Sequence, residues 1–308
     1  MYRNAVKKGL YTQRDRSKQR NRLDRRRYNP PPANNAVESL EQWISVNIDT
    51  DIAKLEKLNL NEYLGQTTHI KLEPAERLRQ LAINIEFEIA CADQPRGWLA
   101  ILRIYNEAIR LEPDCIHHYS SLALTSNRCA EALVSLDRTI KNPSAHKRII
   151  GSAYSAAHKY IELSPDRADS YYMLAIIQYG DPAVEVSDVL SNLNTGLEHN
   201  PNHQWSLLYK AHCLHDLGKY QEAYQAYENV DKGFFTSYRT WRLEHLLEAQ
   251  TYCLFKLDRI DEVDKRLNSL IDRWTRNPYS QEQIHGWYVV EIAKDPRISK
   301  ALFDKVLQ

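Results

Sequence analysis

The sequence has few glycines, no long apolar run and no cluster of cysteines, and each of these absences excludes a class of protein. Nine glycines in 308 residues are too few for the many tight turns of a strand-rich fold. No stretch approaches the roughly 20 apolar residues that cross a bilayer, and the basic N-terminus lacks the apolar run of a secretory signal. We therefore expect a cytoplasmic protein that has no membrane partner.

The cysteines are odd in number and widely scattered, so neither a disulfide framework nor a metal cluster is expected from their spacing. We predict that they are buried thiols in a reducing compartment. The five are Cys91, Cys115, Cys129, Cys213 and Cys253.

Motifs of catalysis and of cofactor binding are also missing. The chain has no glycine-rich phosphate loop, no Gly-x-Ser-x-Gly, no His-Glu-x-x-His and no plausible catalytic Cys/His pair. His212 and His215 could supply two metal ligands, but no third ligand lies at a diagnostic spacing, and His117 and His118 would point to opposite sides of a helix. We predict a protein that is not an enzyme and that has no cofactor and no metal.

Charge is distributed unevenly along the chain. Residues 1–30 contain eleven lysines and arginines against two aspartates, a formal charge of +9, although the whole chain carries only +1. The remaining 278 residues therefore carry −8. A basic arm precedes an acidic body, and three consecutive prolines, Pro30 to Pro32, predict an extended linker between them.

The arm resembles the arginine-rich RNA-binding peptides of phage antiterminators and of ribosomal-protein tails. Guanidinium groups bind phosphates and stack on bases, so the resemblance implies RNA or another polyanion as a partner. Three alternatives remain open: a solvated disordered tail, a nuclear-localisation signal, and a strap that docks on an acidic surface. The residues predicted to bind nucleic acid are Arg14, Arg16, Lys18, Arg20, Arg22, Arg25, Arg26 and Arg27.

Beyond the linker, apolar residues recur at helical spacing and no segment alternates with a period of two, so the body is predicted to be all-α. Short separators with Pro, Asn, Asp or Gly divide the helices. The predicted helices are 37–47, 51–62, 74–92, 95–111, 116–127, 129–141, 145–163, 168–179, 184–199, 204–217, 220–231, 238–257, 260–275, 281–294 and 297–307.

Some of these helices repeat. Three of them end in a similar phrase that closes on Pro113, Pro165 or Pro201, and the last two prolines are 36 residues apart. Ala175 and Ala211 have the same separation, which indicates a small residue at an equivalent helix crossing. The interval from Pro113 to Pro165 is 52 residues, so one additional helix is predicted there.

The clearest copy runs from Trp205 to Tyr227 and contains Ala211, a Leu-Gly-Lys-Tyr turn at 217–220 and Ala223. This copy resembles the tetratricopeptide repeat, a pair of antiparallel helices of about 34 residues. The resemblance is strong over 168–231 and fair over 95–275. It implies a right-handed superhelical solenoid with four segments: an arm and linker over 1–35, capping helices over 36–94, repeats over 95–280 and capping helices over 281–308.

In the tetratricopeptide family the first helix of each pair lines a concave groove that binds protein or peptide. The resemblance places these groove positions at His117, Tyr172, Ile176, Tyr179, Trp205, Leu208, His212, His215 and Tyr252. The alternative for each residue is packing on a neighbouring repeat. Lys and Asn of the family's carboxylate clamp are absent, which argues against a C-terminal carboxylate as ligand.

We therefore expect a non-catalytic adaptor whose groove binds a protein or peptide partner within a larger assembly. The alternative is an RNA- or nucleoprotein-associated factor whose arm contacts nucleic acid while the repeats contact protein. A third hypothesis, an accessory domain of an enzyme, also remains open.

Overall fold

The computed structural model describes residues 57–90, 95–134, 140, 142–235, 240–276 and 287–298. The basic arm, the predicted helix 37–47 and most of the predicted helix 297–307 lie outside these residues. The described part consists of α-helices, one 3-10 helix at Lys232–Phe235 and one isolated antiparallel bridge between Val134 and Ile140. Contacts divide it into two compact units, which meet in sequence between Ala183 and Val184.

Among the described residues, the N-terminal unit contains six helices, and proline opens three of them, where its missing N–H costs nothing. Asn142 caps the fifth through a hydrogen bond from Ala145 N to Asn142 Oδ1 of 3.1 Å. The helices are α1 (Leu60–Gln66), α2 (Pro74–Ala90), α3 (Pro95–Leu111), α4 (Ile116–Ala132), α5 (Pro143–Leu163) and α6 (Ala168–Gly180).

The described part of the C-terminal unit contains six more helices and the 3-10 helix, which follows α9. The helices are α7 (Val186–His199), α8 (Gln204–Asp216), α9 (Tyr220–Glu228), α10 (Thr240–Lys256), α11 (Ile260–Arg276) and α12 (Trp287–Ala293).

Packing follows the same scheme in both units. Each helix from α1 to α5 packs on the next one, and α4 also packs on α2 and α6. In the other unit α8 packs on α9, and α10 packs on both α8 and α12. Helices two apart in sequence are therefore neighbours, as in a stack of helical hairpins. The all-helical, tetratricopeptide-like fold is confirmed for the described residues.

Small residues mark the helix crossings. Ala175, Ala211 and Ala223 are all completely buried. Tyr227 and Leu208, also completely buried, fill the space around the crossing of α8 and α9. A larger side chain in place of Ala211 or Ala223 would force the two axes apart.

Two turns of the C-terminal unit have the same geometry although their sequences differ. Gly218 after α8 has φ 75°, and Asp258 after α10 has φ 61°, so both lie in the left-handed region. Lys219 N donates to Leu214 O at 3.0 Å, and Arg259 N donates to Leu254 O at 3.0 Å. Both turns are Schellman caps. Aspartate therefore occupies a position that glycine adopts at lower cost.

The structure corrects the predicted helices between Pro113 and Pro165. Helix α4 continues without a break to Ala132, because no glycine or proline stands near 128. The predicted helix 129–141 is wrong, since Val134 forms the bridge with Ile140. No additional helix is present in the described part of this interval. The 52-residue spacing arises from a longer α4, a longer α5 of 21 residues and the connection between them.

Two more helix boundaries differ from prediction. Residues 57–59 are not helical, and Asn59 caps α1 by accepting from the backbone N–H groups of Asn61 and Glu62. The predicted helix 51–62 therefore does not continue through this point. Residues 294–298 form turns, so the start of the predicted helix 297–307 is also wrong.

Candidate functional site

The groove positions of α6 lie at the surface of the N-terminal unit. Tyr172 and Tyr179 are half-buried, and Ile176 between them is buried. Spacings of four and three residues place all three on one stripe of the helix. Two tyrosine rings therefore flank an aliphatic floor on this stripe.

A polar stripe of α4 lies beside them. His117 is exposed, and Ser120, the half-buried Leu124, Asn127 and Glu131 follow it on the same side of α4. A Cβ atom built on Gly180 at the end of α6 would lie 3.0 Å from Glu131 Oε1 and 3.4 Å from Asn127 Oδ1. The C-terminal ends of the two stripes therefore adjoin. We call this surface the α4–α6 face and define it by His117, Asn127, Glu131, Tyr172 and Tyr179.

Hydrogen-bond acceptors are concentrated at the C-terminal end of the α4–α6 face. Asn127 Nδ2 donates to Glu131 Oε1 at 3.2 Å, while Asn127 Oδ1 is buried and accepts no hydrogen bond from the described residues. Glu131 itself is exposed. Next to them, Tyr154 Oη donates to Asp181 Oδ2 at 3.0 Å, which fixes a second carboxylate. Of these groups only Glu131 is exposed, so its carboxylate is the one that this end of the face offers to a cationic or N–H group.

The groove positions of α8 are different, because all of them except Trp205 are buried. Leu208 is completely buried, and His212 and His215 are 5% and 1% exposed. His212 Nδ1 lies 2.7 Å from Tyr227 Oη on α9. Burial lowers the pKa of His212 well below its ordinary value, so this imidazole is neutral.

His215 lies in an aromatic cluster with side chains of α10 and α12. Its ring centroid is 5.5 Å from that of Tyr252 and 5.0 Å from that of Tyr288. The two tyrosine rings are 4.5 Å apart, and Tyr252 Oη donates to Glu291 Oε1 at 3.1 Å. Burial is the largest cause that lowers the pKa of His215.

Four of the predicted groove residues of this unit therefore pack inside it, which was the alternative to a position in the groove. Leu208, His212, His215 and Tyr252 belong to its interior, and a partner cannot reach them in this structure. Trp205 is half-buried and lies edge-on to Phe235 at 5.0 Å, with the Arg242 guanidinium 5.5 Å from its ring. These contacts hold the Trp205 ring at the start of α8.

The predicted nucleic-acid-binding residues of the arm all lie outside the described residues. Of the described cysteines, Cys129, Cys213 and Cys253 are buried, as predicted, and burial raises the pKa of Cys129 and of Cys253 to about 12. Cys115 is partly exposed, which was not predicted.

One group of metal-ligand type was missed in the sequence. Glu112, Cys115 and His118 each place a ligand atom within 4.8 Å of the other two. They follow each other at intervals of three residues across the turn from α3 to α4. The signal in the sequence is the mixed spacing Glu-x-x-Cys-x-x-His over 112–118, which is not visible in the spacing of cysteines alone or of histidines alone.

Comparisons with known proteins support the fold. No protein-family model and no curated protein matches this chain. Among solved structures, the human IFIT1 dimer with m7Gppp-AAAA is 12% identical with a TM-score of 0.50, and the match covers 82% of this chain and 54% of that one.

Two further solved structures are similar at lower scores. One is PilF of Pseudomonas aeruginosa, 16% identical with a TM-score of 0.47 over 81% of this chain and 96% of that one. The other is TTC0263, a tetratricopeptide-repeat protein of Thermus thermophilus, 12% identical with a TM-score of 0.45 over 68% and 99%. At such identities the IFIT1 match supports a shared fold and nothing finer.

A helix that crosses a bilayer needs about 20 predominantly apolar residues. Within the described ranges, no helix combines this length with the necessary apolar character.

Proposed function

We propose that this protein is a non-catalytic scaffold that binds a segment of a partner protein on the α4–α6 face. The observation that carries the proposal is the partial exposure of Tyr172 and Tyr179 on one stripe of α6, beside the polar stripe of α4. Tyrosine supplies a large contact area at a low cost in side-chain entropy, and it is enriched where proteins bind each other.

The chemistry of the face indicates what kind of segment it binds. An apolar or aromatic side chain of the partner would pack between the two tyrosine rings, over Ile176. A lysine or arginine of the partner would donate to the exposed carboxylate of Glu131 at the adjoining end. We therefore expect an extended or helical peptide with an apolar anchor and a basic residue.

Selection from a random peptide library on the intact chain tests this proposal. We expect enriched peptides that combine an apolar anchor with a basic residue. The double variant Tyr172→Ala/Tyr179→Ala should weaken their binding by about tenfold or more, which corresponds to about 1.4 kcal/mol or more. Glu131→Gln should weaken chiefly the peptides that contain a basic residue.

Phe234→Ala is the matched control, because Phe234 is an aromatic residue of the C-terminal unit that is 49% exposed. It should leave peptide binding unchanged. Far-UV circular dichroism should show equal helix content in all variants. If the tyrosine variant binds the selected peptides as tightly as the unaltered chain, the α4–α6 face is not the binding site.

The charge of residues 1–30 supports a second function, contact with RNA through the basic arm. A segment of +9 with few apolar residues binds phosphates through its arginines, and binding releases counterions. If it contacts about six phosphates of a single strand, the slope of log affinity against log salt should be about −4.

Fluorescence anisotropy with a labelled single-stranded RNA, measured across a salt series, provides the test. Deletion of residues 1–29 should abolish RNA binding and leave peptide binding on the α4–α6 face unchanged. Equal RNA affinity of the full and shortened chains would refute the RNA function of the arm.

A further inference from the structure

The turn between α3 and α4 brings together three side chains of different chemistry. Cys115 N donates to Glu112 O at 3.3 Å, and His118 N donates to Cys115 O at 3.1 Å. These two hydrogen bonds define two successive tight turns, so Glu112, Cys115 and His118 follow one another at intervals of three residues on the same side of the chain. As a result a carboxylate oxygen, a thiol sulfur and an imidazole nitrogen lie within 4.8 Å of one another.

We propose that Glu112, Cys115 and His118 form a binding site for one divalent ion of the zinc class. Zinc accepts sulfur, nitrogen and oxygen ligands together, whereas calcium and magnesium prefer oxygen alone. Three protein ligands leave the fourth tetrahedral position to water.

The site needs only a small contraction to hold the ion. Zinc–ligand bonds of about 2.0–2.3 Å in a tetrahedron place ligand atoms about 3.3–3.8 Å apart. The side chain of His118 is completely buried and supplies a fixed anchor, whereas the Glu112 side chain is 51% exposed and Cys115 is partly exposed. Glu112 Oε2 already lies 3.1 Å from His118 Nε2, so rotation of the Cys115 side chain toward these two groups closes the remaining distance.

The surroundings of His118 leave part of its hydrogen-bonding capacity unused. Its Nε2 lies 3.1 Å from Glu112 Oε2. Its Nδ1 is buried and makes no hydrogen bond to any part of the chain that the structure describes. A neutral imidazole has one N–H and one lone pair, so the contact with Glu112 accounts for only one of the two nitrogens.

Charges on α2 do not oppose a bound cation. Arg79 interacts electrostatically with Cys115, but Glu76 holds it through two hydrogen bonds of 2.7 Å. Glu76 also interacts with His118. This arginine is thus neutralised within α2, and Glu112 and the Cys115 thiolate provide the negative charge that a divalent ion requires.

A bound ion would connect the end of α3 to the start of α4. Because the unfolded chain does not hold the three ligands together, binding would stabilise the folded N-terminal unit by mass action. The melting temperature should therefore rise when zinc is added to metal-free protein.

Titration of the intact, metal-free chain with cobalt(II) tests the site, with a reductant that contains no thiol. We expect one cobalt per chain, a near-ultraviolet band of thiolate-to-cobalt charge transfer, and loss of that band when zinc is added. Cys115→Ser should abolish the band although the other four cysteines remain. Mutation of a residue that only hydrogen-bonds to a metal ligand typically lowers metal affinity by about 10–100-fold. Glu112→Gln alters a ligand itself, so it should weaken binding by about tenfold or more.

His117→Gln is the matched control, because His117 is an exposed histidine in the same turn. His117→Gln should bind cobalt like the unaltered chain. Glu112→Gln changes an exposed side chain, so it still tests the site if Cys115→Ser folds poorly. Cobalt binding without a charge-transfer band, equal binding by Cys115→Ser, or no binding up to millimolar cobalt would each overturn the proposal. The contact between Glu112 and His118 would then be only a hydrogen bond that holds the turn.

Discussion

Helices α6 and α8 occupy the same place in their repeats, yet their groove positions have different environments. On α6, Tyr172 and Tyr179 are half-buried at the surface. On α8, the corresponding positions 36 residues further on are Leu208 and His215, and they are at most 1% exposed. Repeat position therefore determines the direction in which a side chain projects, and the helices that pack next to it determine whether that side chain reaches solvent.

Three tyrosines cover the groove positions of α8. Tyr227 of α9 contacts His212, while Tyr252 of α10 and Tyr288 of α12 lie against His215. One of these rings comes from α12, which lies outside the residues that resemble the repeat. A segment with little resemblance to the repeat therefore covers the groove positions of α8. Tyr172 and Tyr179 of the α4–α6 face keep part of their surface in solvent, which supports the proposal that a partner binds there.

The largest expected effect concerns the feature that α6 and α8 share, the small residue at the helix crossing. Ala211→Leu should destabilise the C-terminal unit by about 3 kcal/mol, the upper end of the range for overpacking, because Ala211 is completely buried. Gln221→Leu on the exposed side of α9 is the control and should change little. Urea unfolding monitored by circular dichroism measures both, and equal midpoints would contradict the assigned crossing.

An effect of intermediate size is expected in the pH dependence of the free energy of unfolding, through His212 on α8. The folded pKa of His212 is lowered, so the unfolded chain binds more protons below its own pKa of about 6.5. The free energy of unfolding should therefore fall as pH drops below about 6.5, by about 1.4 kcal/mol per pH unit for this histidine, until the lowered folded pKa is reached.

Urea unfolding at about pH 7.5 and about pH 5.5, on either side of the unfolded pKa, measures this loss. His212→Phe should reduce the difference between the two pH values, and His117→Gln on α4 is the control. An unchanged pH dependence in His212→Phe would show that His212 is not buried in its neutral form.

The smallest expected effect concerns the two equivalent turns of the C-terminal unit, after α8 and after α10. Asp258→Gly should stabilise the protein by about 0.5–1 kcal/mol, because glycine adopts the left-handed conformation without steric cost. Loss of the exposed ion pair between Asp258 and Arg297 offsets part of this gain. Thermal unfolding should show a small rise in melting temperature. A fall would mean that the ion pair outweighs the backbone strain.

Helical periodicity was sufficient to predict the fold, because the spacing of alanines and prolines reports directly on helix crossings and helix ends. The boundary near 129 could not be predicted, because nothing in the local sequence separates a long helix from two short ones. The burial of His215 depends on Tyr252 and Tyr288, which lie 37 and 73 residues after it in the chain. Contacts at such sequence distances leave no local pattern, so the different exposure of Tyr172 and His215 could not be predicted either.

The central claim is that equivalent groove positions are open on α6 and covered in the C-terminal unit. Hydroxyl-radical footprinting of the intact chain, read by mass spectrometry for each tyrosine, tests it directly. Tyr172 and Tyr179 should be oxidised several-fold faster than Tyr227 and Tyr252, which are 0% and 4% exposed. Similar oxidation rates for Tyr252 and Tyr172 would contradict the account.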